Sequence, residues 1–169
     1  MSIASRERQG LAELLVKLGP DEPTLCAGWT TRDLAAHLMI REHRPIAALG
    51  ILIKPLAGWN ARIMKKSAPN FAENIALLKA GAPWWSPLRW FDSQANTFEF
   101  LIHHEDVRRA QPDWKIRDLT AIDNQLKVLV KRFGRTVGPS VLDKLVGEPM
   151  EILFYLAGRK SVAQVDVSE

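Results

Sequence analysis

Apolar residues recur at helical spacing through most of this chain, and this periodicity constrains its fold more than any other feature. In residues 5–18, leucines stand at helical intervals and lead into Gly19-Pro20, a pair that commonly ends a helix. A second pattern begins at Thr30, with Asp33 at the third helical position in an acidic variant of the capping box. Helices of this kind bury their apolar faces against one another, so the pattern predicts an all-α fold.

Two more helical patterns follow the second helix, whose end is predicted at Pro45. The third spans about residues 59–79 with an interruption near Pro69, because proline removes a donor from a helix interior. The fourth spans about residues 92–109. Its expected core stripe consists of Phe91, Ala95, Phe98 and Ile102. The tryptophan-rich loop between these two patterns is interpreted either as aromatic side chains that cap the bundle or as the mouth of a pocket.

The C-terminal part of the chain has weaker periodicity. A fifth helix is expected from Asp118 to Gly134, and the apolar run MEILFYLAG is interpreted as a short helix or a buried strand. The alternating segment VAQVDV is interpreted as an edge strand. We therefore predict a single domain of residues 1–169, with a four-helix bundle over about residues 5–135 and a small C-terminal appendage over about residues 136–169.

Histidine and carboxylate side chains on two of these helices have the chemistry of a metal site. Glu99 and His103 are separated by one helical turn, so they stand on the same face of the fourth helix. Helical phase places His103 beside the apolar stripe and His104 on the far side, which favours His103. His37, in the second helix, can supply a third ligand from across the bundle. Three such ligands leave one position open on a tetrahedral zinc ion, although iron or nickel would accept the same donors.

The same residues also have structural interpretations, which spacing alone leaves open. Glu99 and His103 can form an ordinary ion pair within one helix, and His37 can be a core histidine bonded to a backbone carbonyl. Asp106 follows one turn after His103. It can accept a hydrogen bond from the other ring nitrogen of that ligand, or it can be an ordinary helix acid.

Three further residues near these patterns have two interpretations each. Arg41 and Arg44 lie on the His37 side of the second helix, where their fork-shaped cations suit a carboxylate substrate. Pairing with acids of the bundle is the competing interpretation. Cys26 precedes the second helix, and because no activating base can be identified beside it, a buried and inert thiol is expected. No catalytic residue is assigned.

Composition and charge argue against several classes of function. A single cysteine among 169 residues rules out an intramolecular disulfide framework and fits a reducing cytoplasm. The start of the chain lacks the apolar core of an export signal, and no apolar run approaches the roughly 18 residues of a membrane span. The net charge of +4 is dispersed along the chain, which argues against a nucleic-acid-binding surface. We therefore expect a cytoplasmic protein that binds neither membranes nor nucleic acids.

Two motifs resemble the signature regions of the DinB-like superfamily. The first, LCAGWTTRDLAAHL (Leu25–Leu38), contains the pattern GW-x4-L-x2-HL, and the second, EFLIHHEDVRR (Glu99–Arg109), contains E-x3-H-x2-D. More narrowly, the chain is similar to the N-terminal domain of mycothiol-dependent maleylpyruvate isomerase and to its small metal-binding relatives. The resemblance covers most of residues 5–135 and implies a DinB-like four-helix bundle.

The resemblance also implies a site and a chemistry. It carries the three metal ligands of the family onto His37, Glu99 and His103, and its acidic position onto Asp106. It implies a divalent metal, usually zinc, that activates a low-molecular-weight thiol such as mycothiol for transfer to, or isomerisation of, a small electrophile. The chain is expected to be too short for the full second domain of the isomerase.

Two other functions remain open at this point. One is a metal-binding module without turnover, which could form a homodimer through exposed helix faces. The other is a hydrolase that uses zinc-bound water, for which Glu105 or Asp106 would have to act as the base.

Overall fold

The chain folds mainly into helices, which confirms the predicted all-α class. The computed structural model describes residues 1–44, 57–86 and 93–168. Predictions on Pro45, Trp90 and Phe91 lie outside this described part. Contacts divide the chain into two compact units, Met1–Pro112 and Asp113–Glu169. The assignment of the whole chain to one domain stays a prediction. Within the described part, no helix is long and apolar enough to cross a membrane.

The first unit contains the helices that the periodicity predicted. They are α1 (Ile3–Leu18), α2 (Thr31–His43), α3 (Ala57–Ser67), α4 (Phe71–Ala80) and α5 (Ser93–Arg108). The predicted interruption near Pro69 is confirmed, because it falls between α3 and α4. α1 packs against α4 and α5, and α2 packs against α4, so these four helices form the bundle.

Capping residues set the ends of α1 and α2 as predicted. α1 ends at Gly19, whose φ of 85° is a conformation that favours glycine. The capping box of α2 is confirmed. The Thr30 backbone N–H donates to Asp33 Oδ2 over 3.0 Å. In return, the backbone of Asp33, the third helical residue, contacts the Thr30 side chain, which completes the reciprocal pair. Because the start of α2 is fixed in this way, the angular position of each residue on the helix is fixed too.

The core of the first unit is built from apolar side chains of the bundle helices. Its fully buried members include Leu11, Leu15, Leu34, Leu38, Leu78 and Phe100. Burial of each such side chain contributes roughly 1.5–3 kcal/mol to folding. This packed centre holds α2 and α5 in fixed positions within the unit.

The buried surface of α5 is wider than the predicted stripe. Ile102 is buried, but Ala95 and Phe98 are only half-buried, whereas Phe100 and Leu101 are fully buried. The reason is that α1 and the segment before α2 both cover the C-terminal half of α5. A helix covered on more than one side has no single apolar stripe, so polar residues of α5 are buried as well.

The segment from residue 19 to 30, here called the α1–α2 loop, folds back onto α5. Its Leu25 backbone N–H donates to the Asp106 carbonyl over 3.0 Å, and Pro23 forms an isolated antiparallel bridge with Thr30. The loop therefore brings Cys26 close to the second motif on α5.

The second unit contains short elements of both kinds. A 3₁₀ turn (Thr120–Ile122) precedes α6 (Asp123–Val137), α7 (Pro139–Leu142), β1 (Leu145–Val146), α8 (Pro149–Leu156) and β2 (Asp166–Val167). All but the last two residues of the run MEILFYLAG lie in α8, which settles the open choice between helix and strand. The predicted strand in VAQVDV is confirmed as β2, which pairs antiparallel with β1 and aligns Leu145 with Val167.

The predicted end of the fifth helix at Gly134 is wrong. α6 continues to Val137 and ends at Gly138, whose φ is 95°. Gly134 is instead a buried packing position, because a Cβ there would lie 2.6 Å from the Leu142 Cδ2 atom. The glycine allows a close approach of side chains, and only Gly138 provides the helix-ending conformation.

Candidate metal centre

Three side chains from two helices of the first unit converge on one point. His37 comes from α2, and Glu99 and His103 come from α5 one turn apart. His37 Nε2 lies 3.2 Å and His103 Nε2 lies 3.4 Å from Glu99 Oε1. One donor atom from each residue lies within 4.8 Å of the others. The structure thus brings together the three residues predicted from the sequence. Their assignment as metal ligands stays a prediction.

The spacing and the type of these donors fit a divalent metal ion. Zinc binds nitrogen and oxygen ligands at about 2.0–2.1 Å, so two ligand atoms of a tetrahedral ion lie about 3.4 Å apart. The separations of 3.2 and 3.4 Å to Glu99 Oε1 match this spacing. Imidazole nitrogens and a carboxylate are donors that zinc, iron and nickel all accept. The two separations from Glu99 and the donor types therefore fit an ion of this kind.

His37 is the most enclosed of the three donors, with 7% of its surface exposed. Its ring packs against the Trp29 ring at 5.1 Å and against the His103 ring at 5.3 Å, between centroids. Burial lowers the pKa of His37, since it disfavours the cation, and the charges of His103 and Arg41 add to this effect. The imidazole is consequently neutral near pH 7, which is the form that binds a metal.

Glu99 is the donor most open to solvent, with 23% of its side chain exposed. Burial raises its pKa, but hydrogen bonds from His103 and His37 outweigh that effect, and the charges of His103 and Arg41 act in the same direction. The pKa of Glu99 is therefore well below its usual range. Its carboxylate is ionised and supplies the negative charge of the cluster.

His103 uses both ring nitrogens in polar contacts. Nε2 faces Glu99, and Nδ1 lies 2.9 Å from the Oδ2 atom of Asp106, which is fully buried. Burial alone lowers the pKa of His103, but hydrogen bonds to Asp106, Cys26 and Glu99 outweigh it and raise the pKa well above 6.5. Asp106 thus occupies the place expected of a carboxylate that orients a metal-binding histidine.

Cys26 is the residue whose surroundings the sequence analysis missed. Its Sγ lies 3.2 Å from Asp106 Oδ2 and 3.7 Å from His103 Nδ1. With these two residues it forms a second group whose geometry could hold a metal. The expectation of a buried thiol is therefore wrong, because the α1–α2 loop places a half-buried thiol against α5. The expectation that this thiol is inert stays a prediction. The one feature of the sequence that could have indicated a position near the cluster is that Cys26 belongs to the same motif as His37.

The two arginines predicted near the site lie in different environments. The Arg41 guanidinium donates from Nη1 to Asn96 Oδ1 over 2.8 Å, and its Nε lies 3.5 Å from Glu99 Oε1. Arg44 is the exposed residue that follows α2. Within the described residues, no hydrogen bond or ion pair connects the Arg44 side chain to the cluster. Only Arg41 therefore joins the three donors.

His104 lies away from the cluster, as helical phase predicted, but its side chain is largely buried and not at the surface. Its Nδ1 lies 2.8 Å from Oε2 of Glu7 on α1, and both side chains are largely buried. The reason is that α1 packs directly on α5 and covers this side of the helix. The adjacent residues His103 and His104 thus contact different partners on opposite sides of α5.

A known family model matches the N-terminal part of the chain, which contains the whole first motif. Residues 3–82 match the family model described as the mycothiol maleylpyruvate isomerase N-terminal domain. The resemblance inferred from the motifs is confirmed over these residues. The match contains His37 and Arg41 and ends before Glu99. No curated protein and no solved structure is significantly similar to the chain.

Proposed function

We propose that this protein is a metal-dependent enzyme that uses a low-molecular-weight thiol, such as mycothiol, to modify or isomerise a small electrophile. The observation that carries the proposal is the convergence of His37 Nε2, Glu99 Oε1 and His103 Nε2 at 3.2 and 3.4 Å. The match to a mycothiol-associated family supports the thiol as the co-substrate.

The three donors would hold a divalent cation, most simply zinc. Such an ion supplies a Lewis acid that lowers the pKa of a thiol at the position left by three protein ligands. Glu99 contributes the single negative charge of the donor set, and the neutral His37 contributes none. The set would therefore leave positive charge at the site, which favours a thiolate over a thiol.

Arg41 would recognise a negatively charged group of the thiol or of the substrate. Its guanidinium is anchored by Asn96 and lies beside Glu99 at the edge of the cluster. A planar guanidinium can bind a carboxylate through two parallel hydrogen bonds. Glu99 is also partly exposed, so a small molecule has access to this side of the cluster. Arg44, the other arginine considered, is proposed to have a lesser role.

The positions of the nearby acids disfavour the hydrolase alternative. Both oxygens of Glu105 are engaged by arginines, with Arg108 Nη1 at 2.8 Å and Arg109 Nε at 2.7 Å. Asp106 contacts Nδ1 of His103, which is the ring nitrogen opposite the donor cluster. Neither carboxylate is placed to take a proton from water on the Nε2 side.

Metal analysis of the purified protein tests the proposed site. We expect about one equivalent of zinc per chain, and loss of that zinc in His37→Ala and His103→Ala. His43→Ala is the matched control, because His43 lies on the same helix as His37 but bonds to the Leu77 carbonyl instead. Full zinc retention in both ligand variants would contradict the assignment.

Turnover tests the proposed chemistry separately from the metal. The zinc-loaded protein is incubated with mycothiol and a panel of small electrophiles, and loss of the thiol is followed over time. We expect acceleration over buffer in the wild type and none in His103→Ala. Zinc binding without any acceleration would favour a binding module, and turnover without thiol would favour hydrolysis.

A further inference from the structure

Cys26 contacts Asp106 and the Nδ1 side of the His103 ring, away from the Nε2 atom that faces Glu99. Its thiol donates to Asp106 Oδ2 over 3.2 Å, and the same oxygen lies 2.9 Å from His103 Nδ1. The three groups form a chain, from thiol to carboxylate to imidazole. The far end of this chain is His103 Nε2, which faces Glu99.

The loop that carries Cys26 is fixed on both sides of the thiol. The Cys26 backbone N–H donates to Thr24 Oγ1 over 3.2 Å, and its carbonyl accepts from the Trp29 backbone N–H over 2.9 Å. Next to it, the Leu25 backbone N–H donates to the Asp106 carbonyl. The backbone of Asp106 and its carboxylate are therefore both held by the same short stretch of loop.

This arrangement does not suit Cys26 as a nucleophile. In a nucleophile pair, a histidine takes the proton with one ring nitrogen while a carboxylate holds the other. Here Cys26 and Asp106 meet the same nitrogen, Nδ1 of His103, and the contact of Cys26 with it is the longer, at 3.7 Å. The geometry instead suits a thiol that holds the carboxylate in place.

We propose that Cys26 is a positioning residue for metal binding: its S–H bond to Asp106 fixes the carboxylate that orients the His103 ring, so that Nε2 points to the metal. This inference rests on the proposed function, because it needs a metal at His37, Glu99 and His103. Asp106 is fully buried, so water does not readily replace a lost donor beside it. Loss of the thiol therefore loosens the ring that presents Nε2.

Zinc affinity of two Cys26 variants tests the inference on the full chain. Cys26→Ala removes the donor, whereas Cys26→Ser keeps a hydroxyl donor in nearly the same place. Replacement of a residue that hydrogen-bonds to a metal ligand typically weakens metal binding about 10- to 100-fold. Because Cys26 acts through Asp106, we expect about tenfold weaker zinc binding in Cys26→Ala and recovery to within about twofold in Cys26→Ser. Competition with a chromophoric chelator measures both affinities.

Thermal unfolding of the metal-free variants separates positioning from general stability. If Cys26 acts only through packing, the affinity loss should follow the loss in Tm, and serine should not restore it. Equal zinc affinity in wild type and Cys26→Ala, or equal loss in both variants, would overturn the inference while the proposed function stands. Absence of zinc binding in the wild type would instead overturn the proposed function.

The absorption spectrum of the cobalt-loaded protein tests whether Cys26 coordinates the metal directly. We expect no sulfur-to-cobalt charge-transfer band in the wild type, since the thiol lies on the Nδ1 side of His103. A band that disappears in Cys26→Ser would overturn the inference, because Cys26 would then be a metal ligand itself.

Discussion

His103 and His104 are adjacent on α5 and face two different regions of the first unit. The region around His103 contains Glu99, Asp106 and Cys26, so both of its ring nitrogens have polar partners. The region around His104 is a pair with Glu7 on α1. Glu99 contacts both His103 and His37, and this convergence makes the first region a candidate site. The second region is a largely buried contact between side chains of α1 and α5.

Replacement of each histidine by alanine is the strongest way to separate the two regions. We expect His103→Ala to weaken zinc binding by more than about 100-fold. This effect exceeds the range that is typical for residues that only hydrogen-bond to a metal ligand. His104→Ala should leave zinc content unchanged and lower the free energy of unfolding by about 1–3 kcal/mol, because Glu7 loses a buried partner. Metal analysis and denaturant unfolding of both variants measure these effects. Loss of zinc in His104→Ala would remove the distinction.

Replacement of Asp106 tests how far the His103 region extends. Asp106→Asn keeps the size of the side chain but removes the charge beside His103 Nδ1. We expect about 10- to 100-fold weaker zinc binding, as is typical when such a carboxylate is lost. A matched change, Glu7→Gln, removes the charge beside His104 and should not change zinc affinity. Similar zinc affinities for Asp106→Asn and the wild type would limit the site to its three donors.

The pH dependence of zinc binding provides a third test. Burial lowers the pKa of His103, but Asp106, Cys26 and Glu99 raise it well above 6.5, so the metal-free protein holds a proton that zinc must displace. Below that raised pKa, zinc affinity should increase about tenfold for each unit of pH. The lowered pKa of His37 adds no competing proton near neutrality.

Titration calorimetry in buffers of different ionisation enthalpy measures the released proton directly. Asp106→Asn is the control, because it removes the leading contribution that raises the pKa of His103. Its zinc affinity should depend less on pH near neutrality. A wild-type affinity that is constant from about pH 6 to 8 would contradict this account of His103.

Replacement of Gly10 by alanine has the smallest expected effect and concerns only the His104 region. A Cβ at Gly10 would lie 3.0 Å from His104 Cε1, so the imidazole must shift slightly. The strain opposes the gain of roughly 0.5–1 kcal/mol from replacing a glycine inside a helix. We expect Gly10→Ala to change the free energy of unfolding by less than about 1 kcal/mol and to leave zinc affinity unchanged. A large drop in zinc affinity would show that the two regions are coupled.

Local patterns in the sequence predicted the parts of the structure that depend on local rules. The leucine spacing of α1, the capping box of α2 and the break at Pro69 all follow from contacts within a few residues. The triple of His37, Glu99 and His103 was also accessible. Two of its members share a helix face, and the third lies on the one other helix with a suitable histidine.

Contacts between distant segments could not be read from periodicity. Cys26 meets Asp106 across 80 positions, and His104 meets Glu7 across 97. These contacts depend on how a loop and a helix pack on α5, and packing of this kind leaves no repeating pattern in the sequence. Gly134 shows the same limit, because its role is set by Leu142 and not by its own neighbours in the helix.

The most direct test of the central claim is an anomalous difference map from a zinc-soaked crystal. We predict one peak about 2.0–2.1 Å from His37 Nε2, Glu99 Oε1 and His103 Nε2. A peak on the opposite side of the His103 ring, bound by Asp106 and about 2.3 Å from Cys26 Sγ, would contradict the account and identify the second group as the metal site.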